Sequence, residues 1–157
     1  MDTIIKDAKS EDIEVIQELN TRLSEKEAEE FDPTIDPEWI STEEAFKHYK
    51  QRIQEKDGFA KKVEHNEQVV GYAIGGIHGS ESYREDLKIA ELETMYILPE
   101  YRSNGIGTEL VENFTTWAEK EDADRLRVEA TAQNEDAIRF YRENGFKDYA
   151  LTLEREL

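Results

Sequence analysis

The 157-residue chain contains no cysteine and only three prolines. Without cysteine there are no disulfides, no thiolate nucleophile and no thiolate zinc site. Histidine is scarce as well: His48, His65 and His78 are scattered without metal-ligand spacing, so no metal is expected. No apolar run approaches the ~18 residues of a membrane span, and the N-terminus lacks the basic-then-apolar layout of a signal peptide. A cytoplasmic location is therefore expected. Positive charge is short too, with 20 Lys and Arg against 38 Asp and Glu and a formal net charge of −18. No Lys/Arg stripe appears, which makes nucleic acid and anionic membranes poor partners. The acidity serves solubility, and it would also attract cationic molecules such as amines.

What is present suffices for one domain, residues 1–157, with a real core. Thr3 to Ala8 reads as an opening strand, and Ser10-Glu-Asp12 as a helix start followed by Ile13, Ile16, Leu19 and Leu23 at helical spacing. Glu25 to Asp36 is acidic, carries Pro33, and reads as a connecting loop. Ser41-Thr-Glu-Glu44 has the form of a capping box opening a second helix, whose Ala45, Phe46, Tyr49 and Ile53 share a face. Residues 59–64 and 68–74 flank His65-Asn-Glu67 as a hairpin, and Gly75 to Asp86 reads as a loop. Strands are expected over 88–97 and 125–131, helices over 106–118 and 135–144 with Gly145 as the C′ residue, and a closing strand over 146–156. This order implies an α/β fold with a mixed sheet.

The most informative stretch is Leu98-Pro-Glu-Tyr-Arg102-Ser-Asn-Gly105-Ile-Gly107-Thr108, which links the strand ending at Ile97 to a helix. At such a junction the first N–H groups of the helix have no intrahelical partner and lie at the positive end of its dipole, which suits phosphate. A P-loop would need Lys-Ser/Thr after the second glycine, where Thr108-Glu109 stand. A dinucleotide fingerprint would need Gly or Ala where Leu110 stands. The pattern Arg/Gln-x-x-Gly-x-Gly/Ala fits.

That loop resembles the pyrophosphate loop of the GCN5-related N-acetyltransferases, and two further stretches resemble the same family. Asn134-Glu-Asp-Ala137-Ile-Arg-Phe140-Tyr141, followed by Gly145-Phe146, is similar to its Asn-x-x-Ala-x-x-Phe-Tyr signature. Leu92-Glu93-Thr-Met-Tyr-Ile97-Leu-Pro99-Glu-Tyr-Arg102 is similar to its fourth strand. Two departures stand out. Ser103-Asn104 replaces the common Gly-Lys or Gly-Gln, and the short tail after Gly145 leaves the last hairpin abbreviated or absent.

The resemblance implies a mostly antiparallel mixed sheet with splayed central strands, flanked by helices, and acetyl-CoA as co-substrate. Pantetheine would pair with the backbone of Met95, Tyr96 and Ile97, and an N–H near Tyr96 would stabilise the oxyanion. Arg102, Ser103, Asn104, Gly105, Ile106, Gly107 and Thr108 would hold the pyrophosphate, and Asn134 would contact the cofactor. The acceptor is expected to be a small-molecule or peptide amine, reached by direct attack, and a homodimer is compatible with the family. Glu93 or Glu91, two apart on one strand, would take the acceptor's proton, with Glu93 favoured. Tyr141 would act as general acid or hydrogen-bond donor to the leaving thiolate. The alternative is a non-catalytic acetyl-CoA sensor on the same fold.

Overall fold

In the computed structural model, which describes residues 2–157, the elements follow in the order β1 (Ile4–Asp7), α1 (Ile13–Glu30), α2 (Glu43–Gln54), β2 (Gly58–His65), β3 (Gln68–Gly79), β4 (Lys88–Ile97), α3 (Ile106–Lys120), β5 (Arg125–Val128) and α4 (Glu135–Glu143). The strands form one five-stranded sheet in chain order. It is antiparallel except for the parallel β4–β5 pair, so the mixed, mostly antiparallel α/β architecture expected from the sequence is the one observed.

Several boundaries differ from expectation for identifiable reasons. α1 runs through Glu30 instead of yielding to a loop at Glu25, because Glu, Lys and Ala are good helix formers and the first proline is Pro33. The cap of α2 is Thr42, whose hydroxyl accepts the Ala45 N–H at 3.2 Å; Ser41 ends a preceding 3₁₀ turn. β3 continues through Gly75 and Gly76 to Gly79, so His78 stands on a strand and not in a loop. Those two glycines mark close contacts: a Cβ on Gly75 would lie 2.5 Å from the Glu91 carbonyl oxygen. The β2–β3 turn carries positive φ at both Asn66 (50°) and Glu67 (65°), as a two-residue hairpin turn requires.

β5 ends at Val128, and the closing strand expected over 146–156 is absent: residues 146–157 have no regular structure. Tyr149, Leu151 and Leu153 alternate as a strand would, yet they are 59 %, 73 % and 83 % exposed. Alternation alone does not make a strand when the neighbouring edge, β5, offers only Arg125–Val128 for pairing.

The sheet separates two cores. On one face, Phe59, Val63, Val70, Ala73, Ala90 and Leu92 pack against Leu110, Val111 and Phe114 of α3, with Phe140 and Tyr141 of α4 beside them. On the other face, Tyr72, Ile74 and Tyr96 pack against Ile13, Ile16 and Leu19 of α1 and Ala45 and Tyr49 of α2. Strand β4 changes phase between these faces. Ile74 is opposite Thr94 but Gly75 is opposite Leu92, so Glu93 is the extra residue of a β-bulge. Before it, Ala90 and Leu92 face α3; after it, Met95 and Ile97 do.

Candidate active site

β4 and β5 are paired only from Ile89–Arg125 to Leu92–Val128. Beyond the bulge, β4 continues to Ile97 while β5 has ended, which opens a fork between them. The Leu98 N–H donates to Val70 O at 2.9 Å, and this fixes the phase of the free stretch. In an antiparallel ladder each residue turns its N–H and C=O to the same side, alternating along the strand. Tyr96, opposite Tyr72, therefore spends its backbone groups on β3, whereas Met95 and Ile97 turn theirs toward the open fork. The sequence placed all three on the cofactor side; only two face it.

The loop that follows is shaped by its own side chains. Arg102 Nε donates to Ile97 O at 2.8 Å, and its guanidinium lies 5.2 Å from the centre of the Tyr96 ring. The Asn104 amide donates to the carbonyls of Tyr101 (3.2 Å) and Arg102 (3.0 Å). Ser103 and Gly105 take positive φ, 66° and 82°, turning the chain into α3. No side chain caps that helix. The N–H groups of Ile106, Gly107 and Thr108 thus remain without intrahelical partners at the positive end of the dipole. The other two motif helices differ: Thr42 caps α2, and Asn134 Oδ1 accepts the Ala137 N–H at 3.2 Å to cap α4. With its oxygen so used, the NH₂ group of Asn134 is what remains to donate to a cofactor.

A polar cluster sits at the bulge. Both Glu93 oxygens are gripped by Arg52 of α2, Nε to Oε1 at 2.9 Å and Nη2 to Oε2 at 2.8 Å. His48 Nε2 lies 3.0 Å from Oε1, and His78 Nε2 lies 2.9 Å from Oε2. Burial alone would raise the Glu93 pKa, but the hydrogen bonds from His48 and Arg52 and the guanidinium charge hold it well below the usual carboxylate range. Glu91 behaves oppositely. Its closest basic neighbour is His78, at 3.6 Å, and burial raises its pKa above the ordinary value of 4.5. His78, Glu91 and Glu93 gather potential ligand atoms within 4.8 Å. The cation of this cluster, however, is already the Arg52 guanidinium, bidentate on Glu93.

Tyr141 of α4 packs against Phe140 and Phe146 beside the α3-side core. Burial first, and the Glu27 carboxylate of α1 second, push its pKa up to about 12. Its hydroxyl takes part in none of the hydrogen bonds among the described residues, and none of their buried side-chain polar atoms is left unpaired, so this hydroxyl keeps contact with solvent. Behind the bulge the buried Tyr72 hydroxyl meets the Asn20 amide (2.7 Å) and the Thr94 hydroxyl (2.8 Å). A surface groove of about 520 Å³ between β2 and α3, lined by Phe59, Lys61 and Trp117 among others, shares no residue with the fork.

The site thus combines an open strand edge, an uncapped helix start after a glycine loop, and a carboxylate cluster at the β4 bulge. The model of the acetyltransferase (GNAT) family matches residues 20–146. The chain belongs to that family. Solved structures agree on the fold. A Bacillus halodurans protein superposes with a TM-score of 0.80 at 19 % identity, over 98 % of this chain and 99 % of that one. A Clostridium acetobutylicum protein, described as a predicted acetyltransferase and solved with acetyl-CoA, gives 0.77 at 19 % identity, over 99 % and 96 %. The aminoglycoside acetyltransferase AAC(6')-Iy, solved with a bisubstrate analogue of coenzyme A and an acetylneamine, gives 0.75 at 14 % identity, over 100 % and 99 %.

In this GNAT chain Glu91 and Glu93 stand together at the β4 bulge, the 102–108 loop follows the free end of β4, and Tyr141 stands on α4. Sequence reasoning missed His48, Arg52, His78, Asn20 and Glu27. Three of these left a legible signal. Arg52 stands at i+7 from Ala45 and i+3 from Tyr49, a charge inside the buried stripe of α2. Asn20 and Glu27 lie four residues after Ile16 and Leu23, polar interruptions of the apolar face of α1. His48 and His78 left none, because a histidine becomes informative only once its neighbours are known. No described helix is long and apolar enough to cross a membrane.

Proposed function

We propose that this chain is an N-acetyltransferase that moves the acetyl group of acetyl-CoA to a primary amine by direct attack in a ternary complex. The observation that supports this most is the fork itself: an open β4 edge at Met95 and Ile97 leading to an uncapped helix start at Gly105–Thr108, with a carboxylate pair at the bulge of the same strand. Met95 and Ile97 would pair with the pantetheine amides as an added strand. The N–H groups after Gly105 would take the pyrophosphate, with Asn134 donating from α4. The Met95 N–H, facing the fork, is placed for the oxyanion in preference to that of Tyr96.

An alkylamine arrives mostly as an ammonium ion. Glu91 would take its proton, directly or through water, and the neutral nitrogen would then attack the thioester carbon. The tetrahedral intermediate would collapse with cleavage of the C–S bond, and the second proton on nitrogen would pass, directly or through water, to the departing thiolate, which leaves as coenzyme A thiol. The sequence favoured Glu93 as base; the ion pair with Arg52 leaves it little proton affinity, and Glu91 is the better acceptor. Tyr141, with a pKa of about 12, serves the leaving thiolate by hydrogen bonding more than by complete proton transfer.

The acceptor side is acidic. Between Glu25 and Glu44 nine acids, Glu25, Glu27, Glu29, Glu30, Asp32, Asp36, Glu38, Glu43 and Glu44, face one lysine, Lys26. This favours cationic amines, whether aminoglycoside-like, polyamine-like or peptide-borne. A single N-acetyltransferase domain over residues 1–157 is part of the same reading, as is action in the cytoplasm. The test is thiol release from acetyl-CoA against a panel of amines and peptides, with the acetylated product identified by mass spectrometry. Amine-dependent release is the expected result. Tight acetyl-CoA binding without it would leave the sensor reading.

A further inference from the structure

Arg52 is an unusual residue to find beneath a sheet. It is only 8 % exposed, and its guanidinium reaches Glu93 past Gly76. A Cβ on Gly76 would run into the guanidinium, with Nε at 2.6 Å, and one on Gly58 would run into the Arg52 backbone. The glycine at 76 thus leaves room for the guanidinium, and the one at 58 for the helix backbone that carries it. The guanidinium then makes a two-point contact with the single bulged residue of β4, the position where the strand changes phase.

From this geometry, and resting on the N-acetyltransferase reading, we infer that Arg52 is a positioning residue: it fixes Glu93 as a permanent, immobile anion at the bulge and leaves Glu91 as the carboxylate that exchanges protons with the acceptor. Two carboxylates two residues apart on one strand would otherwise compete for the same proton, each raising the other's affinity for it. A bidentate guanidinium resolves the competition, because it remains charged at every working pH and matches both oxygens of one carboxylate.

The groups around Glu93 support this division. From α2 come Arg52, His48 and, more distantly, the Tyr49 hydroxyl. From β3 comes His78, which lies between the two carboxylates at 2.9 Å from Glu93 and 3.6 Å from Glu91. Behind Arg52, Glu55 and Asp57 add negative charge that keeps the guanidinium protonated. On the Glu91 side, Arg127 of β5 favours the ionised form while Glu129 and Glu93 oppose it. The ordering is set by contact: Glu93 has four nitrogens of three residues at hydrogen-bond distance, Glu91 has none.

The experiment is a pH titration of the glutamate side-chain carboxyl carbons by ¹³C NMR in the full chain, without acetyl-CoA or amine. Resonances are assigned with Glu91→Gln and Glu93→Gln. In the unsubstituted protein Glu93 should stay ionised to the lowest pH at which the fold survives, while Glu91 should titrate above 4.5. That measurement needs no variant to fold beyond those used for assignment, and Glu93 titrating at or above Glu91 overturns the inference. In Arg52→Met the Glu93 midpoint should rise clearly, because burial is then opposed only by the histidines and no longer by the guanidinium, whereas Arg52→Lys should restore part of the ionisation. Gly76→Ala, which displaces the guanidinium without deleting it, should move Glu93 the same way. An unchanged Glu93 in these variants would also overturn it. Because no amine takes part, failure to find an acceptor would strike the proposed activity alone.

Discussion

Gly107 lies beneath the ring of Phe140: a Cβ added to it would stand 3.0 Å from Cζ and 3.2 Å from Cε1. The two glycines of the loop therefore do different work. Gly105 has open space around it and is needed for its φ of +82°; Gly107 is needed so that α3 and α4 can touch. Gly107→Val should destabilise the fold by roughly 1–3 kcal/mol through overpacking, and Phe140→Leu in the same chain should recover part of it. Gly105→Ala should cost about 1–2 kcal/mol of backbone strain without any such rescue. Urea denaturation of the four variants checks this, and equal rescue at both glycines would refute the distinction.

Tyr141→Phe should leave stability nearly unchanged, because the hydroxyl bonds to no described residue, while slowing turnover in the thiol-release assay. A full rate in a folded variant would reduce Tyr141 to its packing against Phe140 and Phe146.

Acid stability should carry the signature of Glu93. Its folded pKa lies below its unfolded value of 4.5, so the pair contributes stability that is present above 4.5 and lost as pH falls toward the folded value. At neutral pH Glu93→Gln strands a buried guanidinium and should cost about 3–5 kcal/mol. The gap between variant and parent should narrow below pH ~4.5, since there the parent's unfolded state gains a proton at this position and the variant's does not. Urea midpoints across that range measure it, and a gap that stays constant or widens would contradict the assigned direction.

Salt should separate the two substrates. The chain carries −18, and coenzyme A is polyanionic, while the loop's one cation, Arg102, is partly occupied with the Ile97 carbonyl. The net field reaches about 10 Å at 0.1 M salt and about 3 Å at 1 M, whereas the N–H contacts at a helix start act within a turn. Acetyl-CoA affinity should therefore hold or improve from low to molar potassium chloride, and KM for a cationic amine should rise. Calorimetry and a KM series at constant folded fraction test this; steady weakening of acetyl-CoA binding would mean that cations dominate its site.

The parts legible in the sequence were those governed by local rules. The glycine loop, the α4 signature and the span of β4 announce themselves through turn chemistry and periodicity, and each stands where it was expected. The bulge did not. Counting by twos correctly put Glu91 and Glu93 together, yet it hid that Glu93 is an inserted residue and that Tyr96 then turns its backbone to β3. Nor could spacing show that Arg52, 41 positions upstream, would meet Glu93 past Gly76. The tail misled in the opposite direction: its alternation promised a strand for which the sheet has no matching edge.

The most direct test of the account is the pH dependence of kcat/KM for acetyl transfer, measured for the parent and for Glu91→Gln with an amine that supports turnover. Glu91→Gln should lower kcat/KM by one or two decades near neutrality, as loss of a general base does. The defect should shrink as pH rises and free amine becomes abundant, with acetyl-CoA affinity unchanged. A Glu91→Gln profile that overlays the parent at every pH would contradict the account.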